Sequence, residues 1–445
     1  MGFRVFIALA LMLRLGLFLY FIQYGQFVDN DSKLYLLLAD NLLEHGVFSE
    51  QTTAPFTPEV FRTPGYPAFL ALLKGLGLAG THWVVFIQEI IYGLCIFMVY
   101  QHGQRLFSSK ILTATLVFML VEPGGLVYPK MIMSELLFLA FFLAGMLAIG
   151  EYLLAPRLRA LFMAGVLLGV GALIRPAVFY LPVIISVVLW LSAEGNGWRK
   201  SQSGVFLLAF LLVVSPWLIR NYHYFGKPVM TGALSNLLVN YHAPIVMADA
   251  ENISRQASGK IIAMQLALTK KLTENRLGRP LTVVEGFELE QQLGLAVLKQ
   301  YPLTYLKQWV FGCLKTMNGP FVTQFYDSFG MHSERVHFAE AIQRGFLPGV
   351  IYYFKNLDLF FLLNTVLTML MAVFALLGGV YIIQNKDPFQ WIIMLSCFYF
   401  ICIPGPEGYP RFRFPVGVFW FIQACIGYFW LQAKLMQRPV APVHA

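Results

Sequence analysis

Residues 6–23, FIALALMLRLGLFLYFIQ, run directly into residues 24–48, YGQFVDNDSKLYLLLADNLLEHGVF. The first stretch is apolar enough to cross a bilayer, which takes ~20 such residues. The second opens with Asp29 and Asp31. It then places Tyr35, Leu38, Ala39, Leu42 and Leu43 at three- and four-residue intervals, the spacing of one helical face. A spanning helix that empties into two carboxylates and an amphipathic helix predicts a membrane protein with polar chemistry at the mouth of its first span. The opening apolar run is long and no small-residue cleavage site follows it, so it is expected to remain as a helix rather than be removed.

Composition supports that reading. Of 445 residues, 58% are hydrophobic and 12% charged, and the mean hydropathy is +0.66. A soluble chain of this length needs far more polar surface, so the class is an all-α polytopic membrane protein. The net charge of +9 does not call for nucleic acid, because much of the excess falls in short loops where the positive-inside rule accounts for it. The five cysteines, Cys95, Cys313, Cys397, Cys402 and Cys425, are scattered without metal-ligand spacing. No Walker loop, no strand-borne GxGxxG and no HExxH occurs.

Ten stretches read as spans: 3–24, 82–101, 111–128, 132–153, 158–174, 177–193, 204–220, 359–383, 388–404 and 414–433. Residues 64–80 carry prolines and Lys74 and read as an interfacial helix. Arg105, Lys110, Arg157, Arg159, Arg199, Lys200, Lys386, Lys434 and Arg438 then collect on the side of the N-terminus, which is expected to be cytoplasmic. The other side receives the first loop, the turns at 121–131 and 174–177, the segment 221–358 and the loop 404–413. The expected organisation is a module over 1–220 with an acidic first outer loop (25–63), a helical cap on the membrane surface over 221–358, and further spans with a short tail over 359–445.

Several charged residues face outward in that topology. Asp31 and Asp29 sit near headgroup level, where partial burial would raise a carboxyl pKa and suit it to act as a general base; the alternative is that Asp31 caps its helix. Glu135 begins the fourth span. Arg62, Lys130, Arg175, Arg220, Arg411 and Arg413 fall in outer turns, where the positive-inside rule expects few basic residues. Snorkelling accounts for any one of them. As a set they suit an anionic group, since the planar guanidinium donates two parallel hydrogen bonds to a phosphate. Tyr35, Tyr66, Tyr222, His223 and Glu407 lie on the same side as substrate-binding candidates, although a lone histidine among aromatics is more often packed at the interface.

The fragments DSKLYLLLADNLLEHGVFS, FRTPGYPAFLALL, MSELLF, GALIRPAVFYLP, SPWLIRNYHYFGKP and RFRFPVGVF, in this order behind an acidic first loop, resemble the GT-C superfamily of integral-membrane glycosyltransferases. The resemblance is to its polyprenyl-phosphate-sugar-dependent branch, which includes protein O-mannosyltransferases and the bacterial enzymes that add aminoarabinose to lipid A. It implies a GT-C-like bundle in a membrane, expected to be the bacterial inner membrane. It further implies a polyprenyl-phosphate sugar donor, a lipid, glycan or protein acceptor, and inverting transfer on the extracytoplasmic face. Asp31, with Tyr35 and Ala39 in a D-x3-Y-x3-A pattern, then matches the position of the family's base, with Asp29 as understudy. Glu135 matches a Ser-Glu at the start of a span, and Arg62, Arg175, Arg220 and Arg411 match basic positions suited to donor phosphate. The chain departs from relatives whose first loop carries adjacent acidic residues, because Asn30 separates Asp29 from Asp31. No metal is required by this scheme, and a divalent ion between the two aspartates is not excluded. Two rivals stand: an O-antigen-ligase-like or polymerase-like enzyme working from the 221–358 loop, and a lipid-linked sugar flippase or transporter, for which Glu89 inside the second span would be the signature.

Overall fold

A computed structural model describes residues 2–25, 28, 30–193, 197–322, 325–326, 346–355 and 358–436. Asp29, Arg438 and most of 323–345 therefore lie outside the described residues. The described residues are helical with intervening turns.

The first helix, α1 (Gly2–Tyr24), is followed by the amphipathic α2 (Asn30–His45) and by α3 (Gly65–Gly75). These two short helices pack together, and Lys74 pairs with Asp40 across them. Next come α4 (Thr81–Leu106), α5 (Ser109–Val121), α6 (Pro123–Val127) with a 3-10 turn over 128–130, α7 (Ser134–Leu154), α8 (Leu158–Ile174), α9 (Leu181–Ser192) and α10 (Gly197–Phe225). Five helices, α11 (Ala233–Leu237), α12 (Ala243–Glu251), α13 (Arg255–Leu277), α14 (Val283–Gln300) and α15 (Pro302–Asn318), fold around small apolar clusters of their own. One of these joins Val239, Ala243, Met247, Ile262 and Val297. After α16 (Phe346–Lys355) the chain finishes with α17 (Leu359–Asn385), α18 (Pro388–Cys402) and α19 (Gly417–Leu435).

Each of the ten stretches read as a span is helical, but not all alike. Among the described residues, six helices are long and apolar enough to cross a membrane. The stretch 111–128 is instead broken: α5 stops at Val121, Pro123 starts α6, and the axis bends by 50° before Lys130. Proline at the first helical position cannot extend the preceding ladder, and Glu122 caps the new helix by accepting from the Gly125 N–H. Three more apolar helices, Leu158–Ile174, Pro176–Ser192 and Pro388–Cys402, are shorter. The whole is a multi-pass membrane protein.

The bundle is centred on α7 and α19, the most enclosed of the long helices. Phe138 and Phe142 of α7 meet Phe400 of α18, and Phe142 meets Phe419 of α19. At the rim, α17 turns Leu363, Leu367, Leu370, Val373 and Leu376 outward. In water such a stripe would be a liability, whereas in lipid it is solvated. Helices in lipid gain little from apolar burial against one another, so close backbone approach carries more of the packing. A Cβ on Gly427 of α19 would stand 1.9 Å from the Phe374 carbonyl oxygen of α17, and one on Gly378 would stand 2.1 Å from the Gln423 carbonyl oxygen. Both contacts are with backbone and cannot relax by a rotamer change. Gly427→Ala is therefore expected to cost about 1–3 kcal/mol, read as a lower thermal midpoint in detergent. Gly417→Ala, where nothing lies within 4 Å of the added carbon, should leave the midpoint unchanged.

Candidate active site

Helix α2 lays Tyr35, Leu38 and Ala39 into the core, so the three- and four-residue spacing in the sequence is the buried face. Leu43 is the exception at 49% exposed. With that face fixed, Asp31 in the first turn is aimed at the end of the bundle where α7 begins, α8 ends and the 404–416 loop crosses. A carboxylate in a first helical turn also benefits from the helix dipole.

Asp31 does not stand alone. Its Oδ1 accepts from Arg62 Nη2 at 2.5 Å and its Oδ2 from Arg411 Nη1 at 3.1 Å. Arg411 also donates through Nε to Glu135 Oε1, the same oxygen that Arg175 Nη1 reaches at 2.5 Å. Three guanidiniums thus enclose two carboxylates, an excess of one positive charge. Glu135 is fully buried and its Oε2 has no hydrogen-bond partner. The five residues come from α2, the first loop, the start of α7, the end of α8 and the turn before α19.

Local structure explains how such distant segments meet. Gly65 begins α3 against the end of α8, where a Cβ would lie 2.8 Å from the Leu173 carbonyl oxygen, and Thr63 donates to the Ile174 carbonyl at 3.2 Å. Those contacts bring Arg62 beside Arg175. Tyr35 lies with its ring 5.2 Å below the Arg62 guanidinium, and its hydroxyl pairs with Ser134 Oγ at 3.3 Å. Ser134 Oγ also accepts from Arg175 at 3.5 Å. Tyr66 packs edge-on against Tyr35 and donates to Gln88 Oε1 at 2.8 Å. Gln88 in turn donates to the carbonyls of Pro129 and Met131. Ser134 and Gln88 were not among the sequence candidates. The signal for Ser134 was its place beside Glu135, while Gln88 was hidden by the ionisable Glu89 next to it.

The charge state of Asp31 differs from the sequence expectation. Burial by itself would raise its pKa, but Arg62 and Arg411 outweigh that and hold the carboxyl below the usual range. Both oxygens are taken by guanidiniums, so the carboxylate is ionised and occupied rather than poised near neutrality.

Other candidates lie elsewhere. Lys130 is 0% exposed and its ammonium goes to Glu89 Oε1 at 2.5 Å and the Leu126 carbonyl at 2.8 Å; Arg14 holds Glu89 Oε2 at 2.8 Å. Arg413 is buried with its donors on the carbonyls of Thr316, Met317 and Gly319 at the end of α15. Its guanidinium satisfies groups the helix leaves unpaired. Arg220 lies 4.6 Å over the Trp217 ring and donates to the Glu59 carbonyl at 2.6 Å, bracing the first loop rather than joining the cluster. Tyr222 is 60% exposed on the last turn of α10, and His223 beside it is exposed as well. The structure thus does not bring Lys130, Arg220, Arg413, Tyr222 and His223 to the Asp31–Glu135 cluster: Lys130 pairs with Glu89 and backbone, Arg220 and Arg413 serve backbone carbonyls, and Tyr222 and His223 stand at the surface. Glu407 is half-buried in the same loop as Arg411. Burial raises its pKa, against the opposing pull of Arg255, Arg411 and Lys315. No group of three or more metal-ligating side chains occurs among the described residues.

The loop carrying Arg62 has a titrating latch. Glu59 accepts from the backbone N–H groups of Phe61 and Arg62, and Glu50 is hydrogen-bonded beside it. Burial and the neighbouring Glu59 push Glu50 up to about 7. A carboxyl whose pKa is raised on folding stabilises the fold when protonated, and that contribution is lost as pH rises through the raised value. Amide exchange over residues 48–63 should therefore accelerate beyond its intrinsic pH dependence as pH rises from about 4.5 to about 7 and level off above, and Glu50→Gln should abolish that extra acceleration. An unchanged profile in the variant would refute the latch.

Residues 61–219 match the dolichyl-phosphate-mannose-protein mannosyltransferase family. That span contains Arg62, Ser134, Glu135 and Arg175 and stops short of Asp31 and Arg411. Among solved structures, the apo oligosaccharyltransferase of Archaeoglobus fulgidus is similar over 96% of this chain and 51% of its own, with 11% identity and a TM-score of 0.50. The AglB oligosaccharyltransferase of the same organism, in complex with an inhibitory peptide and a dolichol-phosphate, is 12% identical over 97% of this chain and 52% of its own, at a TM-score of 0.46. ArnT from Cupriavidus metallidurans bound to undecaprenyl phosphate is 13% identical over 97% and 79%, at a TM-score of 0.42. The chain spans about half the length of the archaeal structures it matches. No curated protein matches its sequence.

Proposed function

We propose that this chain is a membrane glycosyltransferase of the GT-C superfamily and moves a sugar from a polyprenyl-phosphate carrier to an acceptor hydroxyl on the extracytoplasmic face. The observation that carries the reading is the double engagement of Asp31 by Arg62 and Arg411, with Arg175 and Glu135 closing the cluster. An excess of positive charge enclosed at the end of a membrane bundle suits a phosphate anion.

The same arrangement suggests how the base is switched on. In the resting cluster Asp31 is a weak base, because both its oxygens are neutralised. A donor phosphate competes for the Arg62 and Arg411 forks. As they turn to it, Asp31 loses its counter-ions in a partly buried place and its affinity for a proton rises. Asp31 then accepts the proton of the acceptor hydroxyl while that oxygen forms a bond to the anomeric carbon. The bond from that carbon to the phosphate oxygen breaks on the opposite side, so the configuration inverts and polyprenyl phosphate leaves. The arginines stabilise the charge that grows on the departing phosphate, an effect strongest in the transition state. Glu135 gathers Arg175 and Arg411 on one oxygen, Oε1, and its free Oε2 is placed to orient either a guanidinium or an acceptor hydroxyl. Asp29 remains an alternative base.

The test uses purified protein in detergent with radiolabelled undecaprenyl- or decaprenyl-phosphate sugars and a membrane extract as acceptor. Asp31→Asn should lower transfer by ~10²–10⁴-fold, the range for a lost general base, while donor binding is retained. Arg411→Lys should weaken donor binding and transfer together, and Asp29→Asn should leave most activity. Transfer that survives Asp31→Asn would move the chemistry to the 221–358 loop. Donor movement seen only in sealed vesicles, with no sugar transferred, would make the protein a transporter.

A further inference from the structure

The carboxyl-terminal half of the site hangs on α15, and the contact between them is unusually close. A Cβ on Gly312 would lie 1.8 Å from the Gly405 carbonyl oxygen, and one on Gly408 would lie 2.1 Å from the Gly312 carbonyl oxygen. The backbones of α15 and the 404–408 turn therefore touch directly. Gly408 also adopts a positive φ of 40°, a conformation that side chains disfavour. Next to this contact stand two thiols, Cys313 on α15 and Cys402 at the end of α18, with their Sγ atoms 3.9 Å apart. Both are free and half-buried, in contrast to the fully enclosed Cys95, Cys397 and Cys425. A disulfide needs ~2.05 Å between sulfurs, so the gap closes by modest side-chain movement. The backbone approach at Gly312 has already been made.

We propose that Cys313 and Cys402 form a redox pair whose disulfide staples α15 to the strand of chain that presents Arg411. That chain leaves α18 at Cys402, passes Glu407 and Arg411, and reaches Arg413, whose guanidinium grips the last carbonyls of α15. The disulfide would tie the first end of this loop to the helix that already holds its second end. Arg411 lies between the two attachments, so the staple restricts the residue that joins Asp31 to Glu135.

Oxidation is a thiol–disulfide exchange with a disulfide-bearing oxidant. One thiolate attacks the external disulfide, the second displaces the mixed disulfide, and the oxidant leaves as two thiols that carry the two electrons and the two protons. Such oxidants prevail outside the cytoplasm, so the proposal rests on the outer-face reading above. The pairing itself does not depend on the catalytic reading.

The test is chemical and independent of activity. Cells are lysed into N-ethylmaleimide without reductant, and the purified chain is digested and mapped by mass spectrometry. The peptides carrying Cys313 and Cys402 should appear linked, lighter by two hydrogens than their sum, and Cys313→Ser should release Cys402 as a maleimide adduct. In parallel, reduced wild-type protein in detergent is exposed to oxidised glutathione and mapped in the same way, which covers a variant that fails to fold. Linkage in both samples upholds the proposal. Linkage by glutathione alone, with both thiols alkylated in the cell sample, overturns the staple in the cell and leaves the sugar-transfer reading untouched. Full alkylation in both samples overturns the pair.

Discussion

Arg411 is the side chain on which the rest of the site depends. One fork of its guanidinium reaches Asp31 on α2, and Nε reaches Glu135 at the start of α7. No other residue in the cluster joins both carboxylates. Remove it and two partly or wholly buried negative charges lose their shared counter-ion, a change that costs several kcal/mol when one partner of a buried pair is lost (about 3–5). The loop 404–416 is built to hold this one residue still. Its far end is fixed by Arg413 on the carbonyls of α15, and its near end by the backbone contact at Gly312. The arginine two residues on is therefore a structural anchor, and the two have opposite tasks despite sitting on the same short turn.

A second set of charges lies within the bundle. Arg14, Glu89 and Lys130 join α1, α4 and the broken helix after Pro123. Glu89 is about two turns into α4. Ionised groups at that depth are costly unless paired, and here one carboxylate serves two cations. The pairing pins the 128–130 turn, which Gln88 also holds by its carbonyls. That turn leads directly into Ser134 and Glu135. The break at Pro123 thus ends a span early and lets the chain re-enter the helix at the level of the site, with the exposed backbone tied to side chains of α4. Irregular backbone at membrane depth is tolerated only where protein satisfies it in this way.

Much of the architecture was legible. Every stretch chosen by apolar length falls on helix, with 111–128 broken at Pro123, and the α2 face read from Tyr35, Leu38 and Ala39 is the buried one. Length and periodicity work because lipid demands that each segment satisfy its own backbone. The failures are informative in the same terms. The span 111–128 was read through a Glu-Pro pair that starts a new helix, because hydropathy averages over a break that geometry does not. The basic residues were grouped by an expected topology alone, which says nothing about which way each points.

The sequence alone determined that this is a polytopic helical membrane protein, and it singled out Asp31, Glu135, Arg62, Arg175 and Arg411 among its few charged residues. Those properties follow from composition, hydropathy and local spacing, which act over a few residues at a time. Only the tertiary structure decided which cations meet which carboxylates. It sends Arg411 to Asp31 across 380 positions and Arg413 to the carbonyls of α15, and it keeps Lys130 with Glu89 inside the bundle. It also reversed the expected state of Asp31, since burial pushes a carboxyl up while two guanidiniums pull it down by more. Charge pairing depends on a few ångströms between segments far apart in the chain, and the energy of a buried pair changes steeply over that distance. No local pattern in the sequence encodes it.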